Sequence, residues 1–168
     1  CQDVITTIKC LKRCNVTIKL RNNCTAKIYG GSLISPLNVL DCENSGTTAR
    51  MMLGLLAGQG INSDFSGDKS LLKRPMGRII NPLKDMGVSI VSKNMMLPIS
   101  IKKSNIKAID YKIKTNSAQV KSALIFTALG CNDYSKISYN SKTRDHTERI
   151  LEYLKYDIKI NDRIKVRS

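Results

Sequence analysis

Two stretches 72 residues apart, Asn44-Ser45-Gly46-Thr47-Thr48 and Asn116-Ser117-Ala118-Gln119, stand where an extended run gives way to an apolar helical one. Asn and Ser are strong N-caps. A helix start also offers unpaired backbone N–H groups and the positive end of the helix dipole, which together attract anions. Gly46 has no Cβ, so an anion could approach its N–H closely. Taken alone, a cap followed by Gly is an ordinary helix start. Two such starts at matching places in a repeat should aim both N-termini at one end of the molecule, which favours a shared anionic ligand.

Cations mark the other two helix starts. In Lys73-Arg74-Pro75, Pro suits the first helical position. Arg74 opposes the dipole there, so it serves either solvent or a bound anion. Thr143-Arg144-Asp145-His146-Thr147-Glu148 fills the matching place further on. Arg144 is again a cation at a helix start, and Asp145 with Glu148 has the spacing of a capping box. His146, the single histidine, reads as a hydrogen-bonding residue rather than a ligand.

The elements that must position these residues follow an internal repeat. Thr7–Ile18 matches Ile79–Ile90 at an offset of 72, and Arg149–Tyr156 matches Arg78–Asp85 at 71. Each unit reads as strand, helix, strand, helix, strand, strand. In the first whole unit we expect a strand over Leu37–Asp41 and a helix over Ser45–Ala57, closed by Gly58. A strand over Ile61–Phe65 and a helix over Pro75–Met86, closed by Gly87, come next, then strands over Val88–Val91 and Leu97–Ile101. The second unit predicts strands over Ala108–Ile113 and Ser135–Tyr139, helices over Ala118–Leu129 and Thr147–Tyr156, and strands over Ile158–Ile160 and Ile164–Val166. Pro82 should kink or split its helix. An incomplete copy comes first, with a helix over Asp3–Cys14 and strands over Val16–Leu20 and Ala26–Tyr29. The chain also lacks an initiator Met, and we expect a piece of a longer protein. Its divisions are 1–36, the tail of a truncated unit, then 37–105 and 106–168, together one globular domain whose partner domain is absent. The fold class is α/β (α+β).

Composition bounds the function. The 168 residues carry a net charge of +15, which suits a nucleic-acid binder, a site for small anionic substrates, or an AT-rich gene rich in Lys. Aromatic residues are 5% with no Trp, so platforms for stacking bases are scarce. No apolar run is long enough to span a bilayer, and no signal peptide is visible. The six cysteines show no CxxC pair, so we expect no metal and read them as free thiols in a reducing compartment.

The stretches Asn44–Gly58, Gly67–Met76, Ser117–Ala123 and Arg144–Arg149 together resemble the signature of the 5-enolpyruvylshikimate-3-phosphate synthase family. The resemblance covers essentially the whole chain. It implies six βαβαββ units in two domains, an inside-out α/β barrel type of fold, of which this chain would be most of the N-terminal domain. It implies transfer of an enolpyruvyl group from phosphoenolpyruvate to the 5-hydroxyl of shikimate 3-phosphate, releasing phosphate, on the route to chorismate and the aromatic amino acids. By the same resemblance Asn44, Gly46, Arg74 and Gln119 would bind phosphoenolpyruvate. Ser117, Ala118, Gln119, Thr143 and Arg144 would bind shikimate 3-phosphate. For Lys121 and Arg50 the resemblance carries a role less firmly, and packing and surface charge are the simpler reading of each. The family's acid/base carboxylates belong to the other domain, so we expect no catalytic residue here, no cofactor, and no turnover from this chain alone. The resemblance further implies a cytoplasmic monomer (plastid in a plastid-bearing eukaryote) and, with Gly at position 46, sensitivity to glyphosate. It implies neither nucleic-acid nor membrane partners. The alternatives are the sister enzyme acting on a UDP-sugar, UDP-N-acetylglucosamine, which uses a Cys in a Gly-rich loop, and a non-catalytic basic module that binds nucleic acid.

Overall fold

A computed structural model describes residues 1–21, 25–141 and 143–168. Among these, helix α1 (Gln2–Arg13) leads into a hairpin of β1 (Ile18–Arg21) and β2 (Thr25–Ile28). The next stretch forms β3 (Leu40–Asp41), α2 (Gly46–Gly58), β4 (Ser63–Ser66), a short 3-10 turn at Leu71–Lys73, α3 (Gly77–Asp85), β5 (Ser89–Ser92) and β6 (Ile99–Lys102). Then come β7 (Asp110–Ile113), α4 (Ala118–Ala128), β8 (Ser135–Tyr139), α5 (His146–Tyr153), β9 (Ile158–Ile160) and β10 (Ile164–Val166).

The two four-stranded sheets share one topology. Their orders are β3-β4-β6-β5 and β7-β8-β10-β9. In each, the first pair is parallel and the other two are antiparallel. The parallel pair needs a helical crossover, which α2 and α4 supply.

Composition decides which helices are inside. Helices α2 and α4 are apolar nearly all round and carry one charge each, Arg50 and Lys121. A helix of that kind belongs in a core. The two lie side by side at the centre, with α1 and α3 against α2 and with α3 and α5 against α4. They run parallel: Gln119 bonds Thr47 near their starts, and the Thr127 hydroxyl donates to the Gly54 carbonyl at 2.9 Å a few turns on. Their backbones nearly touch. A Cβ on Gly54 would lie 2.7 Å from the Ala123 Cα, and one on Gly58 2.6 Å from the Phe126 carbonyl oxygen. Met52, Leu53, Leu56, Ala123 and Leu124 fill the core around this contact.

Several expectations need correction. The apolar run from Leu37 is not a strand until Leu40, and Leu37 is fully exposed, because β4 pairs only Leu40 and Asp41. Gly58 is the last residue of α2 rather than its closing residue; Gly60, at φ +64, takes the left-handed turn. Pro75 does not start α3, which begins at Gly77 and runs through Pro82 unbroken. Cys24 lies outside the described residues. Cys1, exposed, and the buried Cys10, Cys14, Cys42 and Cys131 are free thiols. No helix among the described residues is long and apolar enough to cross a membrane, and no cluster of His, Cys, Asp and Glu could hold a metal ion.

Candidate anion-binding site

Both central helices are capped by serine. The Ser45 hydroxyl accepts from the Thr48 N–H at 3.1 Å, and the Ser117 hydroxyl accepts from the Val120 N–H at 3.4 Å. The remaining first-turn N–H groups point out of the same end of the helix pair. Gln119 joins the two starts. Its amide donates to the Thr47 hydroxyl at 2.8 Å, and its carbonyl accepts from Arg50 at 3.0 Å. Arg50 also donates to the Gly46 carbonyl at 3.1 Å. One side chain thus spans residues a full repeat apart.

The loop ahead of α3 adds a second guanidinium. Arg74 donates to the Asn44 side-chain oxygen at 2.7 Å and to the Ser70 hydroxyl at 3.3 Å. The Asn44 amide donates in turn to Asp68 at 2.7 Å, and Asp68 also accepts from the Leu71 N–H at 2.7 Å. Those bonds, the Asn44 amide foremost, hold the Asp68 carboxyl below its ordinary range. Arg74 leans over the helix start: a Cβ on Gly46 would lie 3.5 Å from one of its terminal nitrogens.

The charges here are one-sided. Burial, with Arg74 and Arg78 nearby, pushes the Arg50 pKa down. Three guanidinium groups thus gather at two helix N-termini, where the dipoles are also positive. An anion relieves that repulsion, and Arg can grip a phosphate or carboxylate in bidentate fashion. Arg50, Arg78, Ser117 and Gln119 border a cavity of about 210 Å³. On the other side of Gln119, a smaller cavity of about 120 Å³ is bordered by Thr47, Ala118, Gln119, Arg144 and His146.

The structure therefore groups Asn44, Gly46 and Arg74 at the start of α2, and Ser117, Ala118, Gln119 and Arg144 around the start of α4. Thr143 stands apart. It lines a separate cavity of about 370 Å³ with Tyr139 and Glu148, and its hydroxyl is buried without a partner among the described residues. Sequence reasoning left Arg50 to packing and surface charge, and it lies half-buried at the centre of the site. Its signal was being the one charge on an otherwise apolar helix. The capping box at α5 does not form: the Asp145 side chain makes no cap bond, and Glu148, 2% exposed, turns inward to pair with Lys121.

Comparisons with known proteins agree on one family. A family model described as EPSP synthase (3-phosphoshikimate 1-carboxyvinyltransferase) matches residues 1–167. A 3-phosphoshikimate 1-carboxyvinyltransferase of Desulforamulus reducens is 38% identical over 99% of this chain and 40% of its own length. One of Caldicellulosiruptor saccharolyticus is 45% identical over 94% of this chain and 37% of its own length. A solved EPSP synthase from Acinetobacter baumannii superposes with a TM-score of 0.93 at 34% identity, over 99% of this chain and 39% of that one. The chain spans about 40% of the length of the curated relatives it matches.

Proposed function

The chain belongs to the EPSP synthase family, and from that premise we propose that it supplies one wall of an enolpyruvyl transferase site. The reaction joins the enolpyruvyl carbon of phosphoenolpyruvate to the 5-hydroxyl oxygen of shikimate 3-phosphate. The bond from that carbon to the phosphate oxygen breaks, and the hydroxyl proton leaves with inorganic phosphate. This chain binds and orients. The Gly46 N–H and the Arg74 guanidinium take the phosphoenolpyruvate phosphate, with Asn44 steadying Arg74. Ser117, Ala118 and Arg144 take shikimate 3-phosphate, joined by Thr143 from the loop ahead of α5. Gln119 lies between the two substrates. Positive charge already in place beside the departing phosphate stabilises it without reorganisation as the bond breaks.

The observation that carries this reading is the Gln119 bridge between two parallel helix starts, with Arg50, Arg74 and Arg144 around it. Two anionic substrates must meet, and two anion-binding helix ends joined by one side chain suit that. A nucleic-acid module would call for a continuous basic face with aromatic platforms. The sister reaction on a UDP-sugar calls for a reactive thiol. Of the described thiols, Cys10, Cys14, Cys42 and Cys131 are buried and the exposed Cys1 stands directly ahead of α1, none of them in a Gly-rich loop; burial pushes the Cys14 thiol up to about 11, while a hydrogen bond with Cys42 lowers that of Cys10.

The remaining length of the relatives would supply the facing lobe and its acid/base groups, so the 168-residue chain alone should bind without turnover. The full-length enzyme should work as a cytoplasmic monomer that glyphosate inhibits at the phosphoenolpyruvate side, where Gly46 leaves room. The direct test is an NMR titration of the labelled chain with shikimate 3-phosphate, then phosphoenolpyruvate, with duplex DNA as competitor. Shifts confined to Ser117, Gln119 and Arg144 with the first ligand, and to Gly46 and Arg74 with the second, are expected. Shifts spread over the lysines and abolished by DNA would sink the reading, as would normal phosphate release from this chain alone.

A further inference from the structure

Lys121 is one of only two charged residues on the two core helices, and it is 1% exposed. Its ammonium pairs with the Glu148 carboxylate, in the first turn of α5. The same ammonium lies 4.9 Å from the centre of the Tyr139 ring, the last residue of β8. Between Tyr139 and α5 runs the loop that bears Thr143 and Arg144. One cation on α4 thus touches both ends of that loop.

From this we infer that the buried Lys121–Glu148 pair, closed on its other side by Tyr139, positions the Thr143–Arg144 loop against the start of α4. Lys121 is then a positioning residue for the shikimate-3-phosphate side of the site. The inference rests on the reading of that side given above.

Three features support it. First, a buried ion pair adds little stability over apolar residues of the same volume, but its attraction holds only in a narrow geometry. It therefore fixes where α5 starts better than it strengthens the core. Second, the loop has room to move. Glu148 and the unpartnered Thr143 hydroxyl border the 370 Å³ cavity, so contacts at the loop's ends matter for its register. Third, the other repeat solves the same problem differently. There, Asp68 accepts from the Leu71 N–H and from Asn44, and so fastens the loop that bears Arg74. In the second repeat Asn116 accepts from Ser141, and the carboxylate's fastening task falls to Lys121 reaching across from the helix. The Ser122–Thr147 bond at 2.7 Å is a neutral link beside the pair and keeps α4 and α5 together when the charges are removed.

The test uses the 168-residue chain and the double variant Lys121→Met/Glu148→Met, which removes both charges and keeps the volume. It should unfold cooperatively near the wild-type midpoint. Amide exchange of Thr143 to His146 should speed about tenfold, while α2 and the rest of α4 stay protected. Shifts of Ser117 and Arg144 should need roughly tenfold more shikimate 3-phosphate, while the response of Gly46 and Arg74 to phosphoenolpyruvate is unchanged. Unchanged loop exchange overturns the inference. So does a parallel loss of both ligand responses, which a merely structural role would give. If the double variant does not fold, Tyr139→Leu decides: it leaves the ion pair and should speed exchange at Thr143 about threefold, and no change there overturns the inference. A wild-type chain that ignores shikimate 3-phosphate refutes the proposed function instead, and loop exchange still decides the fastening.

Discussion

Replacing Gly46 by Ala tests the start of α2 most directly. The new methyl carbon would lie 2.5 Å from an Arg50 terminal nitrogen, where an ordinary contact is about 3.5 Å, so the guanidinium must withdraw by roughly 1 Å. The Arg50 bonds to Gly46 and Gln119, now 3.1 and 3.0 Å, would then stretch beyond hydrogen-bonding range. Losing charge-assisted bonds of this kind, half-open to water, costs about 1.5–2 kcal/mol. Ala is better than Gly in a helix by about 0.5 kcal/mol near its end, which offsets part of the loss. The net is about 1–1.5 kcal/mol, a fall in Tm of about 3–5 °C for a chain of this size. The methyl also stands in the approach to the Gly46 N–H, so phosphoenolpyruvate affinity should fall about tenfold. A double-mutant cycle with Arg50→Ala isolates the cause. In that background Gly46→Ala should become neutral or slightly stabilising. Equal destabilisation in both backgrounds would refute the clash with Arg50, and unchanged phosphoenolpyruvate shifts would refute the anion approach at Gly46.

Other outcomes follow from the same geometry. Gly54→Ala places a methyl against the Ala123 backbone, which cannot rotate away, and should cost about 3 kcal/mol, read as a lower urea midpoint at unchanged slope. Glu43 accepts from Lys9 at 2.6 Å, and from Thr6 and Gln2, and these bonds lower its pKa from 4.5 to about 2. Its contribution to stability is therefore complete above about pH 4.5 and fades as pH falls toward 2; Glu43→Gln should lower stability at pH 7, flatten its fall through that window and converge with wild type near pH 2. Lys121→Met alone strands a buried carboxylate and should destabilise by about 3–5 kcal/mol, with most of the loss recovered in the double variant with Glu148→Met, as followed by thermal unfolding. Arg74→Lys keeps the charge but loses the planar guanidinium, one of whose terminal nitrogens meets both Asn44 and Ser70, so phosphoenolpyruvate shifts at Gly46 should weaken several-fold without a change in Tm.

Local patterns in the sequence were enough for much of the architecture. Alternating residues between turn signals gave the strands Ser135–Tyr139, Ile158–Ile160 and Ile164–Val166 at their observed bounds. The repeat at 72 anticipated two runs with the same order of elements; each folds into a sheet of the same topology, and the whole matches a solved EPSP synthase. The serines expected to cap α2 and α4 do cap them, since a cap bond reaches only three residues along the chain. The charged residues were read less well. By local rules Glu148 belongs to a capping box, and Arg50 and Lys121 serve packing and surface charge. Each is instead bound to residues 27 to 69 positions away. A local rule weighs only neighbours within a turn or two, whereas a buried charge goes to the opposite charge or amide that the packed helices bring beside it. The sequence by itself therefore determined which helices are core and which residue types face their N-termini. Only the tertiary structure decided which cations meet there, because that depends on how closely Gly54 and Gly58 let α2 and α4 approach.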